Sequence, residues 1–442
     1  MLRRTLLASA LATPALAVPA LLPFAAHGGM LHAPDEGVRP DSGRNESAAL
    51  QAALRAAARA GRPLLLPRGR YVATALDLPD GCELVGAGAR LVQIGTGALL
   101  RGQGLSRLRL RGLALEGAEV PGDPVGGLLT LEDCEDVAVE DCRVTGAGTS
   151  GMRLVGCAGH VADCTVEGAL SYGVYALDSR GLAVSGNLVR DCADGGILVH
   201  RSAAGADGTL VAGNRVERIG ARSGGTGQWG NGVNTYLAHD VKIANNHVAD
   251  CAFSAVRCHS ATDATVTGNT ALRSGETAIY AEFSFQGAVI ANNMVREAAM
   301  GISIANFLQG GRLATCANNV VRDLRDAGPY PAEVAGFGNG IFAEADTAVS
   351  GNVVDGAANW GIGLGWGPYL RDVVATGNVV RDAEVAVAVS VVKGAGAAVI
   401  ANNVLRGRRG AVVGHRWAER ATADLVSARS VPDHLTVAGN RT

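Results

Sequence analysis

The sequence predicts an all-β chain, a single-stranded parallel β-helix with an amphipathic helix ahead of its first coil. Three observations carry this. An Asn followed by apolar residues recurs at positions 187, 214, 246, 269, 293, 319, 352, 378, 403 and 440. A short segment of alternating inward and outward character follows each Asn at a similar distance. The shortest units, Asn246 to Asn269 and Asn269 to Asn293, span 23 and 24 residues rich in Val, Ile and Gly, too short for two amphipathic helices.

Taken in order, residues 1–27 read as an export signal: two arginines, an apolar run, then small residues such as Ala15-Leu16-Ala17. Arg3-Arg4 followed by Thr5-Leu6-Leu7 fits the twin-arginine type and predicts a periplasmic or secreted protein. No other stretch has the ~20 apolar residues of a membrane span. Residues 34–95 hold "NESAALQAALRAAARAG", with Leu50 and Leu54 one turn apart and Gly61 as a stop, and then the first strands. A stacked solenoid exposes an apolar end, and this helix is placed to cap it. Residues 96–442 are the repeats.

Within each repeat the second column reads "GVYALDS", "GILVHRS", "GVNTYLA", "AVRCHSA", "AIYAEFS" and "GISIANF" in successive units. Positions two and four are aliphatic or small, and positions three and five carry the polar groups, the period of a strand with one buried face. Met152, Val174, Ile197, Val233, Val256, Ile279, Ile302, Ile341, Ile362, Val387 and Val412 should form one inward row. The Asn column should be a ladder of stacked amides whose residues also adopt the left-handed conformation of the corner. Cys142 and Cys164 fall in that column. The nine cysteines read as small buried hydrophobes, with a Cys142–Cys164 disulfide as the alternative.

The composition limits partners. A net charge of −2 without clustered Lys or Arg disfavours nucleic acid, and 61 Gly with 4% aromatics suits thin core layers rather than disorder.

On these residues the segment "GVRPDSGRNESAALQAALRAAARAGRPLLLPRGRYVA" resembles the opening of pectate-lyase-like right-handed β-helix proteins. With the Arg-Arg signal, "ARSGGTGQWGNGVN", "CAFSAVR", "EFSFQGAVIANN" and "GWGPYLRDV", nearly the whole chain resembles a family of uncharacterised twin-arginine-translocated repeat proteins. The resemblance implies a right-handed coil and export. It implies no reaction, because β-helices host lyases, hydrolases, epimerases and adhesive or structural proteins. The calcium-binding aspartates and Arg-centred motif of pectate lyases have no counterpart here, nor do the clustered aspartates of polygalacturonases.

Outward positions of the second column define a candidate site. Position three carries Asn234, Arg257 and Tyr280, and position five carries His200, Tyr236, His259, Glu282 and Glu344. Two insertions fall at one corner: 19 residues separate Asn214 from Val233 and 22 separate Asn319 from Ile341, against 9 or 10 in most units. They bring Trp229, Tyr330 and Phe337 as walls over a polar floor, and Asn306 and Trp366 follow on the opposite rim. Aromatic walls over polar groups suit a poly- or oligosaccharide. Glu282 and Glu344, two coils apart in one column, could act as acid and base in glycoside hydrolysis. Arg257, His259 and Tyr280 could instead neutralise a uronate carboxylate and move a proton, as a lyase or epimerase requires. His200, Trp229, Asn234, Tyr236, Asn306 and Trp366 would bind substrate. No cofactor is called for, although the sequence leaves room for a divalent cation, and the rival reading is a non-catalytic envelope or surface protein. Phe283 and Phe285, at the strand's end, are expected to pack the turn.

Overall fold

Each coil lays its strands on those of the coil before it, so residues a full repeat apart in sequence become neighbours. The computed structural model describes residues 29–121, 126–331 and 336–442. The export signal expected at 1–27 lies outside them. The described strands form a 16-stranded sheet, running from Leu31–His32 to Leu435–Ala438, and a 27-stranded sheet that wraps the rest of each coil. Among the described strands one pairing is antiparallel, Val412–Arg416 with Glu419–Asp424 at the carboxyl end.

The inward row runs in unbroken register. Met152 pairs with Val174, Val174 with Ile197, Ile197 with Val233, Val233 with Val256, Val256 with Ile279 and Ile279 with Ile302. Ile341, Ile362, Val387 and Val412 continue it. All are buried in one core cluster that extends the length of the solenoid. Branched aliphatics suit such a row, since each packs flat against identical neighbours above and below.

The Asn column is a hydrogen-bonded ladder. Asn269 Oδ1 accepts from the backbone N–H of Asn246 at 3.0 Å and from its Nδ2 at 2.9 Å. Asn269 Nδ2 in turn donates to Asn293 Oδ1 at 3.0 Å and to the Ile243 carbonyl at 2.9 Å. The left-handed residue, however, is the one before each ladder Asn: Gly186, Gly213, Asn245, Gly268, Asn292 and their equivalents have φ between 56 and 67°. Gly and Asn are the residues that enter this region at least cost, which explains why the column is written Gly-Asn or Asn-Asn. Asp141 and Asp163 take the same role before Cys142 and Cys164.

No cysteine is bridged, and all nine are buried. The Cys142 and Cys164 thiols donate to the Glu140 and Ala162 carbonyls at 3.2 Å each, so they pack as small polarizable groups in the ladder, and the disulfide alternative is set aside. The helix Ser47–Ala60 ends at Gly61 with φ 60° and buries Leu50, Ala53, Leu54 and Ala57 in the same core cluster as the strands.

A candidate glycan groove

The second-column strands Tyr172–Leu177, Gly195–Ala206, Asn231–His239, Val256–His259, Thr277–Glu282, Met300–Ile304 and Asn339–Ala343 stack in parallel and turn alternate side chains outward. On that face lies a groove of about 1130 Å³. Its floor follows the register: His200 beside Tyr236, Tyr236 beside His259, His259 beside Glu282, and Asn234 beside Arg257 and Arg257 beside Tyr280. Glu344 continues the Glu282 column beyond Ala305, its N–H bonded to the Ile304 carbonyl.

Both insertions fold over this floor from one side. The first brings Trp229, stacked on Tyr172 with centroids 6.0 Å apart, and the carbonyl of Gly227. The second brings Tyr330, stacked on Phe253 at 6.3 Å, and Phe337. Trp366 stands farther along, 6.4 Å from Trp360 and 5.5 Å from Trp417. The groove is lined by all eleven residues singled out in the sequence: Glu282, Glu344, Arg257, His259, Tyr280, His200, Trp229, Asn234, Tyr236, Asn306 and Trp366.

Electrostatics separates them. Arg257 is buried and fully engaged: Nε and Nη2 donate to the two oxygens of Glu282 at 2.5 and 3.0 Å, and Nη1 donates to the Gly227 carbonyl at 2.8 Å and to Glu276 at 3.3 Å. Its carbon also sits 5.3 Å from the Tyr280 ring centre. Two carboxylates already match its charge, so it cannot serve as the free cation that a uronate carboxylate would need. The lyase or epimerase role expected of Arg257 would require it to give up some of these partners.

Glu344 is 6% exposed. It accepts a hydrogen bond from the Phe307 N–H at 2.6 Å. Burial pushes its carboxyl up to about 7, opposed only by backbone N–H groups, whereas at Glu282 burial raises the carboxyl and Arg257 opposes the rise. One carboxyl is thus left free to carry a proton near neutrality while the other faces a cation.

Burial holds His259 and His200 down to about 4, so both rings are neutral at pH 7. His259 Nδ1 lies 3.2 Å from the Ser260 hydroxyl, and its ring stacks on Phe283 at 4.3 Å. His200 meets Tyr175 and Tyr236 edge-on at 5.5 and 5.7 Å. Burial also raises the Tyr280 hydroxyl above its ordinary range. Asn306 lines the rim, but its Oδ1 accepts from the Phe283 N–H at 3.1 Å and so holds the strand end.

Two site residues were not foreseen. Phe283, expected to pack the turn, has φ 61° and lines the groove, while Phe285 is fully buried. The left-handed residue reverses the side-chain alternation after Glu282, which strand parity could not show. Glu276 is 4% exposed, bonded to the Tyr330 hydroxyl at 2.5 Å and facing Arg257. Tyr330 of the second insertion reaches it from 54 residues away, which spacing within the repeat does not reveal. Among the described residues no group of three or more His, Cys, Asp and Glu is disposed to hold a metal ion.

Parallel coils, an Asn ladder and a groove on one sheet face define a β-helix, and the family comparison agrees. Residues 123–216, 154–309 and 226–416 each match the family described as right handed beta helix region, and the chain belongs to that family. The structure is similar to the A-module of the mannuronan C-5 epimerase AlgE6 of Azotobacter vinelandii, with TM-score 0.51 and 16% identity over 84% of this chain and 98% of that one. It is also similar to gene product 12 of bacteriophage phi29, with TM-score 0.58 and 12% identity over 89% of this chain and 58% of that one. Tailspike protein 3 of bacteriophage CBA120 gives 0.50 and 12% over 93% and 61%. At these identities the likeness is one of fold, and this chain spans less than two thirds of either phage protein. No curated protein sequence matches the chain.

Proposed function

We propose that the protein is exported through its twin-arginine signal, that the Ser47–Ala60 helix caps the solenoid, and that the groove binds a polysaccharide and hydrolyses it. The observation that carries the catalytic part is Glu344, a buried carboxyl in an aromatic groove with no cationic partner and an affinity for protons matched to neutral pH. Its protonated oxygen would donate to the glycosidic oxygen as the bond to the anomeric carbon breaks. Water would add to that carbon and lose its proton to Glu282, the carboxylate two coils away in the same column, whose Cα lies roughly 10 Å from that of Glu344 at the ordinary strand spacing. Tyr280, on the coil of Glu282, and His259, one coil farther from Glu344, would contact the sugar chain at the Glu282 end. A mannuronan C-5 epimerase among proteins of like fold is consistent with carbohydrate as ligand.

Incubation of the signal-less protein with a panel of neutral and acidic glycans tests this. Reducing ends should appear with one class of glycan, and Glu344→Gln and Glu282→Gln should abolish release while retaining binding. Ultraviolet-absorbing unsaturated products would overturn hydrolysis, and binding without products would leave the non-catalytic surface protein as the reading.

A further inference from the structure

Four and five coils from Glu344, near the amino-terminal end of the groove, two polar atoms are buried without a partner. Asn234 is 6% exposed, yet its Oδ1 makes no hydrogen bond, and neither does the buried Nε2 of His200. The two lie on neighbouring coils, since Leu198 pairs with Asn234 and His200 with Tyr236, and both line the groove. Buried polar atoms of a native chain are almost always bonded, so an orphaned pair on two residues that line the groove points to a ligand that turns them outward and completes the bonding. Around them stand the rings of Tyr175, Tyr236 and Trp229, the last stacked on Tyr172.

We infer that this end is a dedicated subsite for one uncharged sugar unit of a chain that also reaches Glu344, a reading that rests on the groove being a glycan site. A hydroxyl can donate to Asn234 Oδ1 and can give or take a hydrogen bond at His200 Nε2 in either tautomer. Sugar faces stack on the flanking rings. A carboxylate has no proton for Asn234 Oδ1. It would also find no free cation, because Arg257 is the only Lys or Arg among the described lining residues, and Glu282, Glu276 and the Gly227 carbonyl already hold it. From the His200 position to that of Glu344 the column advances five coils, roughly 24 Å at the usual strand spacing. The subsite therefore acts only on chains long enough to bridge that span.

The test is calorimetric titration of Glu344→Gln protein with neutral gluco- and manno-oligosaccharides from disaccharides to octasaccharides, and with oligouronates of matching lengths. For the neutral series that binds, affinity should rise with length and then rise again, by about tenfold or more, at the length that first reaches Asn234. Adding Asn234→Ala or, separately, Trp229→Ala should remove that second rise and leave shorter chains unaffected, with unchanged circular dichroism confirming the fold. Two variants on different elements guard against a folding defect in one. An unaltered second rise in both variants, or a preference for oligouronates, overturns the subsite while leaving the groove a glycan site. Absence of binding by every glycan overturns the groove's proposed function and the subsite with it.

Discussion

Replacing Glu344 by Gln should raise stability at alkaline pH and leave it nearly unchanged in acid. Burial lifts the Glu344 carboxyl from 4.5 to about 7 in the folded chain. A group whose folded pKa is raised favours the folded state fully below its unfolded pKa, and that advantage is lost as pH rises through the folded value. Between 4.5 and about 7 the loss amounts to some 2.5 pH units. At 1.36 kcal/mol per unit this is about 3 kcal/mol. Gln keeps the acceptor for the Phe307 N–H without the charge, so the variant should escape the loss. His200 and His259, depressed to about 4, impose an opposite dependence as pH falls below 6.5, but it is common to both proteins and cancels in their difference. Urea denaturation of wild type and Glu344→Gln at intervals from pH 4 to pH 9 measures that difference. It should be flat below pH 4.5, grow to about 3 kcal/mol in favour of the variant by pH 8, and level off there. A difference that stays flat across the range would refute the account of Glu344 as an uncompensated buried carboxyl.

Other expectations follow from the same contacts. Asn269→Ala orphans the Asn246 N–H and the Ile243 carbonyl bond, and should cost roughly 2–6 kcal/mol by urea titration, at ~1–3 kcal/mol for each unmet group. Phe285→Ala should cost about 3–5 kcal/mol, since the ring is fully buried, whereas Phe283→Ala should spare stability and weaken glycan binding. Arg257→Met leaves Glu276 and Glu282 buried without their cation and should cost about 3–5 kcal/mol near neutral pH. Lowering pH should relieve that loss as the two carboxyls take up protons, which the denaturation midpoint at pH 5 against pH 8 will show.

Much of this architecture was legible because a solenoid turns sequence period into spatial contact. The aliphatic row from Met152 to Val412 and the Asn ladder are each one residue type at one phase of the repeat, so strand parity placed them and with them Arg257, Tyr280 and Glu282. The two insertions were visible as departures from the unit length, and that located the groove. What the period could not convey is whatever depends on how an insertion folds or where alternation breaks. Glu276 precedes its strand like any corner residue, and its partners are Arg257 from the coil before and Tyr330, arriving from 54 positions away. Phe283 and Phe285 look alike in sequence, yet a left-handed φ at Phe283 sends one ring to the groove and the other to the core. Charge pairing was hidden as well: Arg257 reads as a free cation until Glu282 and Glu276 are seen to enclose it.

The most direct test of the central claim is the pH dependence of kcat/KM for reducing-end release from the best neutral glycan, compared with Glu344→Gln. A general acid with its carboxyl at about 7 predicts activity that falls as pH rises through that value, and a variant that binds the glycan but releases no product. Activity that continues to rise above pH 8, or a Glu344→Gln protein that turns over at the wild-type rate, would contradict it.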